Sequence, residues 1–551
     1  MSNLKGILDS IRKIMWQDTG LNGDAQRIEQ LGWMLFLKIF SDKDKELEII
    51  KDDYESPIPA EFHWDEWAGD DEGITGDELQ AFVDQKLFPA LRNLKVGASA
   101  DLANKRALLV REVFEGNNNY MKSGINIRKV LNKLNEIDFN IAKDRHAFGE
   151  LYETILKELQ SAGKSGEFYT PRAITEFICE MMNPKLGEKI LDPSCGTGGY
   201  LTAAIEHLKK QANSIEERES IAKNIAGWEY KPLPYLLATT NLILHDMEVP
   251  NIQFRDSLDQ PLSNYTEKNR VNLILANPPF GGIVANNNEN NFPQNYRTKE
   301  SADLFLVMMV HLLKNGGRAG IVLPDGSLTG DGVKQRVREK LLTDCNLHTI
   351  IRLPNSVFQP YATVATNLLF FTKGEPTKEI WYYEHRLPEG QKSYSKTRPI
   401  KLKEFDPIKK WWSNRKESEV CWKVDFSARL EKAKNEAQPY WELAQAANSK
   451  IEALKREIKT LDSQIKETKD SKKLQETKRN KLELYSKEES IAKTNQQSGD
   501  AIYYAAYDLD IKNPTKQEEE ITHSSAELME LLDQSFSKSH DLLKSLKQAV
   551  N

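Results

Sequence analysis

Asn277-Pro278-Pro279-Phe280 closes the apolar run Val271-Asn272-Leu273-Ile274-Leu275-Ala276. Such a run reads as a buried strand, and the two prolines stop it. Proline lacks an N–H and fixes φ, so no further ladder bond forms. Asn277 is thereby held at the strand's carboxyl end, between a rigid backbone and an aromatic ring. A carboxamide oxygen and a neighbouring backbone carbonyl both accept hydrogen bonds from an NH2 group, and the Phe280 ring can stack on a flat heterocycle. The chemistry this quartet suits is chemistry on an exocyclic amine. A plain strand-ending turn is the alternative, because Asn and Pro both favour turns.

Upstream, Lys189-Ile190-Leu191-Asp192-Pro193-Ser194-Cys195-Gly196-Thr197-Gly198-Gly199-Tyr200-Leu201 reads as a strand, a glycine turn and the start of a helix over Tyr200–Lys210. The spacing is not that of the dinucleotide fingerprint, and no G-K-[ST] follows to make a phosphate loop. A strand–Asp–glycine-turn–helix unit without phosphate ligands suits a nucleoside carrying an amino acid. A generic connector is the alternative reading. Ile225-Ala226-Gly227-Trp228-Glu229 reads as a second strand ending in an acid, the position that holds ribose hydroxyls in doubly wound folds. Glu229 falls farther past the glycines than usual, and the polar stretch Gln211–Ser220 could be an insertion that accounts for it. Ile252-Gln253-Phe254-Arg255-Asp256-Ser257 is another short strand with a terminal acid. Each acid has a simpler alternative, a solvated strand end for Glu229 and a turn residue for Asp256.

Asp192-Pro-Ser-Cys-Gly-Thr-Gly-Gly followed by Asn277-Pro-Pro-Phe resembles the S-adenosylmethionine-dependent amino-methyltransferases of DNA. Gly166-Glu167-Phe168-Tyr169-Thr170-Pro171-Arg172 matches the segment that closes over the cofactor in the N6-adenine class, and the order of the motifs is that of the gamma arrangement. Leu353-Pro354-Asn355-Ser356-Val357-Phe358, Thr366-Asn367-Leu368-Leu369-Phe370-Phe371, and Asp303-Leu304-Phe305-Leu306 ahead of Gly316-Gly317-Arg318 narrow the resemblance to the modification subunit of type I restriction–modification systems. It covers most of residues 1–430. It implies S-adenosylmethionine as methyl donor and N6 of a flipped adenine as acceptor, with Asn277, Pro278, Pro279 and Phe280 at the reacting base. It implies a cofactor site built from Phe168, Tyr169, Thr170, Pro171, Asp192, Pro193, Ser194, Gly196, Thr197, Gly198, Glu229 and Asp256. It further implies double-stranded DNA, a specificity subunit flanked by two modification subunits, and a restriction subunit as partners. Two rival functions remain at this point: methylation of a protein glutamine amide, which likewise offers an NH2, and a catalytically silent assembly subunit.

Composition sets outer bounds. The 551 residues allow several domains, and 29% charged with 39% hydrophobic residues is ordinary for a soluble protein. No apolar run is long enough for a membrane span, and Met-Ser-Asn-Leu-Lys-Gly-Ile-Leu-Asp-Ser lacks the pattern of a secretion signal. Cys179, Cys195, Cys345 and Cys421 have no metal spacing. A cytoplasmic, prokaryotic, metal-free protein is expected. The net charge of −6 argues against a DNA binder working alone, since phosphate affinity needs clustered Lys and Arg. Either local basic patches or a partner must supply the grip, and the resemblance implies the partner.

The expected fold is α/β: a Rossmann-like, seven-stranded methyltransferase core with a helical amino-terminal domain and a helical, coiled-coil carboxyl extension. The boundaries read as 1–150, 151–435 and 436–551. In the first part Ile28, Leu31, Leu35 and Ile39 recur at helical spacing, thickened by Met34 and Leu37, and Leu151, Ile155 and Leu156 repeat the pattern. Pro57–Trp67 looks irregular. The second part alternates strands (188–192, 225–229, 252–256, 272–276, 318–323, 348–353 and 366–372) with helices, the signature of a parallel sheet. Asp192, Glu229, Asp256 and Asn277 all fall at strand carboxyl ends, where such sheets bind ligands. The Asn-rich stretch Gly281–Thr298 is expected to be a mobile loop over the base. In the third part Ile451, Leu454, Ile458, Leu461 and Ile465 follow a/d spacing, Ala506–Pro514 resembles a family element, and Leu528, Leu531, Leu532, Phe536, Leu542, Leu543 and Leu546 form a second amphipathic pattern suited to docking on a partner.

Overall fold

The computed structural model describes residues 2–99, 101–139, 152, 169–284, 287–359, 364–395, 397–467, 472–515 and 525–550. Gly166, Glu167 and Phe168, and the repeat Leu151, Ile155 and Leu156, lie outside the described residues. The chain divides into a unit of residues 1–511 and a second of 512–551.

All seven expected strands form: β1 (Ile190–Asp192), β2 (Ile225–Glu229), β3 (Ile252–Phe254), β4 (Val271–Ala276), β5 (Leu313–Pro324), β6 (Cys345–Leu353) and β7 (Thr366–Lys373). Two more, β8 (Glu379–Glu384) and β9 (Cys421–Asp425), extend the sheet to nine strands in the order β3-β2-β1-β4-β5-β7-β6-β8-β9. The sheet is mixed. β7 runs antiparallel between β5 and β6. Its residues Leu368, Leu369, Phe370 and Phe371 are fully buried, as a strand covered on both faces must be.

This topology places the site. From β1 the chain winds outward through β2 and β3, then returns to lay β4 on β1's other side, with Ile190 opposite Leu273 and Leu191 opposite Ile274. The strand order therefore reverses at β1/β4, and a crevice opens beyond their carboxyl ends. Asp192 and Asn277 both stand there.

The amino-terminal region is helical. Its 27-residue helix Asp24–Ile50 is apolar on all sides at its centre, and Trp33 to Leu37 are fully buried. A helix hydrophobic all round must be covered all round. One covering partner is the helix Pro232–Leu244, which approaches so closely that a Cβ on Gly32 would sit 3.0 Å from Leu236 Cδ2. The fully buried Arg106 joins the two regions: its guanidinium donates to Asp44 Oδ1 at 2.8 Å and to the Glu248 carbonyl at 2.7 Å. The stretch 57–67 contains a 3-10 turn, Ala60–Phe62, and the short helix Trp64–Trp67.

The helix Phe426–Glu467 leaves β9 directly, and Lys472–Ala505 packs back along it antiparallel. Trp441 bonds Asp500, Lys450 pairs with Glu488 and Lys481 with Glu457, so the two helices are in register end to end. Ala447, Ile451 and Ala492 form a thin core between them. The chain then returns to the sheet. Arg338 Nε donates to the Tyr507 carbonyl at 2.7 Å, Leu509 N–H to the Leu328 carbonyl at 3.0 Å, and Tyr382 Oη to the Leu509 carbonyl at 3.1 Å. Residues 525–550 of the second unit form one helix, on which Leu528, Leu531, Leu532, Phe536, Leu542 and Leu543 are exposed. No described helix is long and apolar enough to cross a membrane, and no described cluster of His, Cys, Asp and Glu could hold a metal.

Candidate active site

β1 delivers Asp192 to the crevice, and the chain turns sharply behind it. The Ser194 N–H donates to Asp192 Oδ1 at 3.0 Å, closing an Asx turn. Gly198 takes the left-handed conformation (φ 78°) at the head of the helix Gly199–Lys209, and a Cβ there would meet Leu242 Cδ1 at 3.0 Å. Only glycine meets both demands without strain. Asn241 fixes the turn from below, donating to the Thr197 carbonyl at 3.1 Å.

β2 delivers Glu229. Its Oε2 accepts from Gly196 N–H at 3.1 Å, and its Oε1 from Tyr230 and Lys231 N–H at 2.9 and 2.8 Å. The carboxylate thus clamps the glycine turn to the end of the second strand, and its remaining lone pair can accept from a ligand. β3 is followed by Asp256, whose Oδ1 accepts from Leu258 N–H at 2.9 Å. β4 delivers Asn277, whose Nδ2 donates to Thr170 Oγ1 at 3.0 Å. That bond turns the carboxamide oxygen away from Thr170.

Asp192, Glu229, Asp256 and Asn277 line one cavity of about 220 Å³, with Thr170, Pro193, Ser194, Gly196, Thr197, Pro279 and Phe280. Tyr169, Pro171, Gly198 and Pro278 do not line it. Tyr169 and Pro278 are buried, Pro171 caps the helix Arg172–Met182, and Gly198 shapes the turn. Several lining residues carry no signature that spacing could expose. The Arg255 guanidinium lies 4.8 Å from the centre of the Trp228 ring, which stacks at 5.7 Å on Tyr265. Ser301 holds the Pro279 carbonyl at 2.9 Å, and Ile283, 83% exposed, stands on the rim.

The stretch 281–299 is folded onto this cavity in its described part. Ile283 bridges Glu300, two 3-10 turns follow at Asn288–Asn291 and Gln294–Tyr296, and Phe292 is buried. Asn288 Nδ2 donates to Asp256 Oδ2 at 2.9 Å. The loop rests on the residue at the end of the third strand rather than hanging free over Phe280. Ala285 and Asn286 lie outside the described residues.

The electrostatics divide the cavity. Burial pushes the Asp192 carboxyl up to about 8; the Ser194 N–H opposes this and the Glu229 charge adds to it. Burial likewise pushes Glu229 up to about 7 against its three backbone donors. Asp192 Oδ2, Ser194 Oγ, Tyr200 Oη and Asn277 Oδ1 are buried without a hydrogen-bond partner among the described residues. All can accept, so the cavity suits an occupant rich in N–H donors, a cationic one above all. S-adenosylmethionine, with its ammonium group, ribose diol and adenine, fits that donor demand. The thiol of Cys195, which also lines the cavity, is pushed well up by burial and by Asp192, so it is no nucleophile.

Residues 143–440 match the family model of the N-6 DNA methylases, and residues 4–134 that of the HsdM N-terminal domain. The chain is 49% identical over 431 residues to the type I restriction enzyme EcoEI methylase subunit of Escherichia coli, covering 77% of this chain and 87% of that one. Among solved structures it is similar to a modification subunit assigned to a type I restriction enzyme of Vibrio vulnificus, at 42% identity and a TM-score of 0.69, over 78% of this chain and 93% of that one. It is also similar, at 29% identity and a TM-score of 0.71, to a chain solved in work on complex assembly and conformational transition of the type I R-M system; the match covers 100% of this chain and 98% of that one.

Proposed function

Since this chain belongs to the N-6 DNA methylase family, in its type I methylase-subunit branch, we propose that the cavity between Asp192 and Asn277 is where its methyl transfer occurs. The family fixes the reaction: S-adenosylmethionine supplies an electrophilic methyl group, and N6 of adenine in DNA receives it. The protein works on DNA together with other subunits. The family match fits adenine N6 as acceptor and not a protein amide.

The observation that carries the site assignment is that Asp192, Pro193, Ser194, Gly196 and Thr197 of the turn after β1 line the same cavity as Asn277, Pro279 and Phe280. Asp192 takes the ammonium end of the cofactor, Glu229 accepts from its ribose, and Asp256 with Asn288 bounds its adenine. Thr170, Pro193, Ser194, Gly196 and Thr197 wall the space between. Tyr169, Pro171 and Gly198 support that wall. A target adenine leaves the DNA stack to reach the quartet, at a cost of a few kcal/mol. Asn277 Oδ1, turned into the cavity by the Thr170 bond, accepts from the N6 amino group and holds its lone pair in line with the methyl group. Pro278 is buried off the cavity lining, so the contact to the amino group falls to Asn277 Oδ1, and Phe280 stacks on the base. Orientation of this kind is worth several kcal/mol of barrier. No base need act before attack, since the proton can leave to water afterwards.

The division of labour follows the chain: residues 1–150 clasp DNA and neighbouring subunits, 151–435 methylate, and 436–551 hold a specificity subunit. Two copies of this chain flank one specificity subunit, and a restriction subunit joins the full complex. The deciding experiment is co-expression with the neighbouring genes, followed by mapping of modified bases in the host genome. N6-methyladenine at one recurring sequence is the expected result, lost with Asn277→Ala. Methyl label in protein instead of DNA, or unchanged methylation in the variant, overturns the assignment.

A further inference from the structure

The chain is acidic overall, yet residues 386–403 carry Arg386, Lys392, Lys396, Arg398, Lys401 and Lys403 against the single acid Glu389. Arg386 is neutralised by Glu419 at 3.0 Å. Lys392, Arg398, Lys401 and Lys403 are exposed and have no acidic partner among the described residues. Exposed lysines usually mark nothing more than a solvated surface. Here the backbone that presents them is pinned from within, which a merely soluble loop does not require.

The pin is Tyr394, 1% exposed. Its N–H donates to Ser356 Oγ at 2.9 Å, its hydroxyl donates to Glu404 at 2.6 Å, and His385 Nε2 lies 3.0 Å from that hydroxyl. The His385 ring stacks on Phe405 at 5.0 Å, and Phe405 on Phe177 at 4.2 Å. Glu404 also accepts from Lys401 N–H at 3.0 Å, and a tight turn joins Ser395 to Arg398. Ser356 lies two residues before Phe358, a chain length of about 7 Å. Phe358 packs edge-on against Phe280 at 6.0 Å. The cationic loop is therefore anchored beside the aromatic platform of the proposed base site.

We infer that Lys392, Arg398, Lys401 and Lys403 form a phosphate-binding ridge that grips the DNA backbone next to the flipped adenine. Duplex DNA carries one phosphate charge about every 1.7 Å of axis, so a duplex delivering a base to Phe280 brings a line of phosphates past the surface around that ring, to which this loop is anchored. The ridge places part of the DNA grip in this chain rather than in a partner. It rests on the reading of the cavity as the base site.

The test uses the complex with its specificity subunit and S-adenosylmethionine. DNA affinity is measured across salt concentrations for wild type and for the combined Lys392→Ala, Arg398→Ala, Lys401→Ala, Lys403→Ala variant. Each lost phosphate contact removes about 0.9 from the slope of log affinity against log salt, so the slope should shrink by about 2 to 4. Cofactor affinity and thermal unfolding should stay at wild-type values, and Lys-for-Arg and Arg-for-Lys exchanges should restore the slope. An unchanged slope overturns the ridge. So does a variant that loses assembly with another subunit while keeping the slope, because the surface then serves a protein. Failure of the base-site reading shows separately, as methylation retained by Asn277→Ala.

Discussion

The two halves of the cavity are built on opposite principles. Beyond β1, β2 and β3 stand three carboxyl groups, two of them buried and driven up by desolvation. Beyond β4 stand an amide, a proline wall and an aromatic ring, with no charge among Asn277, Pro278, Pro279 and Phe280. On the proposed assignment the first half holds the cofactor by charge and responds to pH. The second acts by geometry: one hydrogen bond to Thr170 aims one carboxamide oxygen. Recognition and chemistry can therefore be separated by substitution.

The largest break is expected at Asn277. Asn277→Ala should lower methylation by about a thousandfold, the scale of losing a positioned polar group at a reacting centre, while calorimetry finds cofactor affinity unchanged. A parallel loss of both would merge the two halves. Asp192→Asn should do the reverse, weakening cofactor binding by about a hundredfold, since charge-assisted bonds in buried sites are the strong ones.

The pH behaviour sharpens the point. Burial holds the Asp192 carboxyl up at about 8 against an ordinary 3.8. The folded state holds the proton that the unfolded state has released, so stability of the free protein falls as pH rises between those values, by a few kcal/mol. Asp192→Asn should flatten that fall in thermal melts. A cationic ligand ionises the group, so its binding should release a proton and tighten as pH rises toward 8. Proton release that is absent in calorimetry across buffers of different ionisation enthalpy would exclude Asp192 from the ammonium contact.

A smaller effect is expected at Phe280. Phe280→Leu should cost about tenfold in DNA methylation, the low end of base-stacking energies, with no change in cofactor binding. The smallest is Asn288→Ala, which removes one hydrogen bond to Asp256 worth about 1 kcal/mol and should alter cofactor affinity by a few-fold. A change in methylation rate at saturating cofactor would instead assign that loop to the base half.

Asp192, Glu229 and Asn277 could be read from the chain because each directly follows a short, largely apolar run, and a buried run makes its first polar successor conspicuous; Asp256 follows the alternating Ile252-Gln253-Phe254-Arg255 and could be read only as a strand-end acid. Other features have no local mark. β8 and β9 are short: β8 has only four apolar residues between two glutamates, and the edge strand β9 breaks its apolar pattern with Lys423. The reversal of β7 depends on which strands it lies between. The Asn288–Asp256 bond joins residues of a loop and a strand end that nothing in the spacing relates, and Arg255 reaches the cavity by lying over Trp228 rather than by any motif. Pro278 belongs to the quartet by sequence, yet it is buried and does not line the cavity.

The long antiparallel arm is tied down at both ends: Phe426 N–H donates to the Lys378 carbonyl just ahead of β8, and at the other end Leu509 accepts from Tyr382 of β8 while Tyr507 accepts from Arg338 of the helix Val333–Asp344. It is a handle riveted twice. A tug at its tip is shared between two attachments instead of peeling one free. A single proteolytic nick between Glu467 and Lys472 should accordingly yield two fragments that stay together and still bind cofactor. Truncation before residue 506 should instead strip a rivet from β8 and loosen the sheet at its far side.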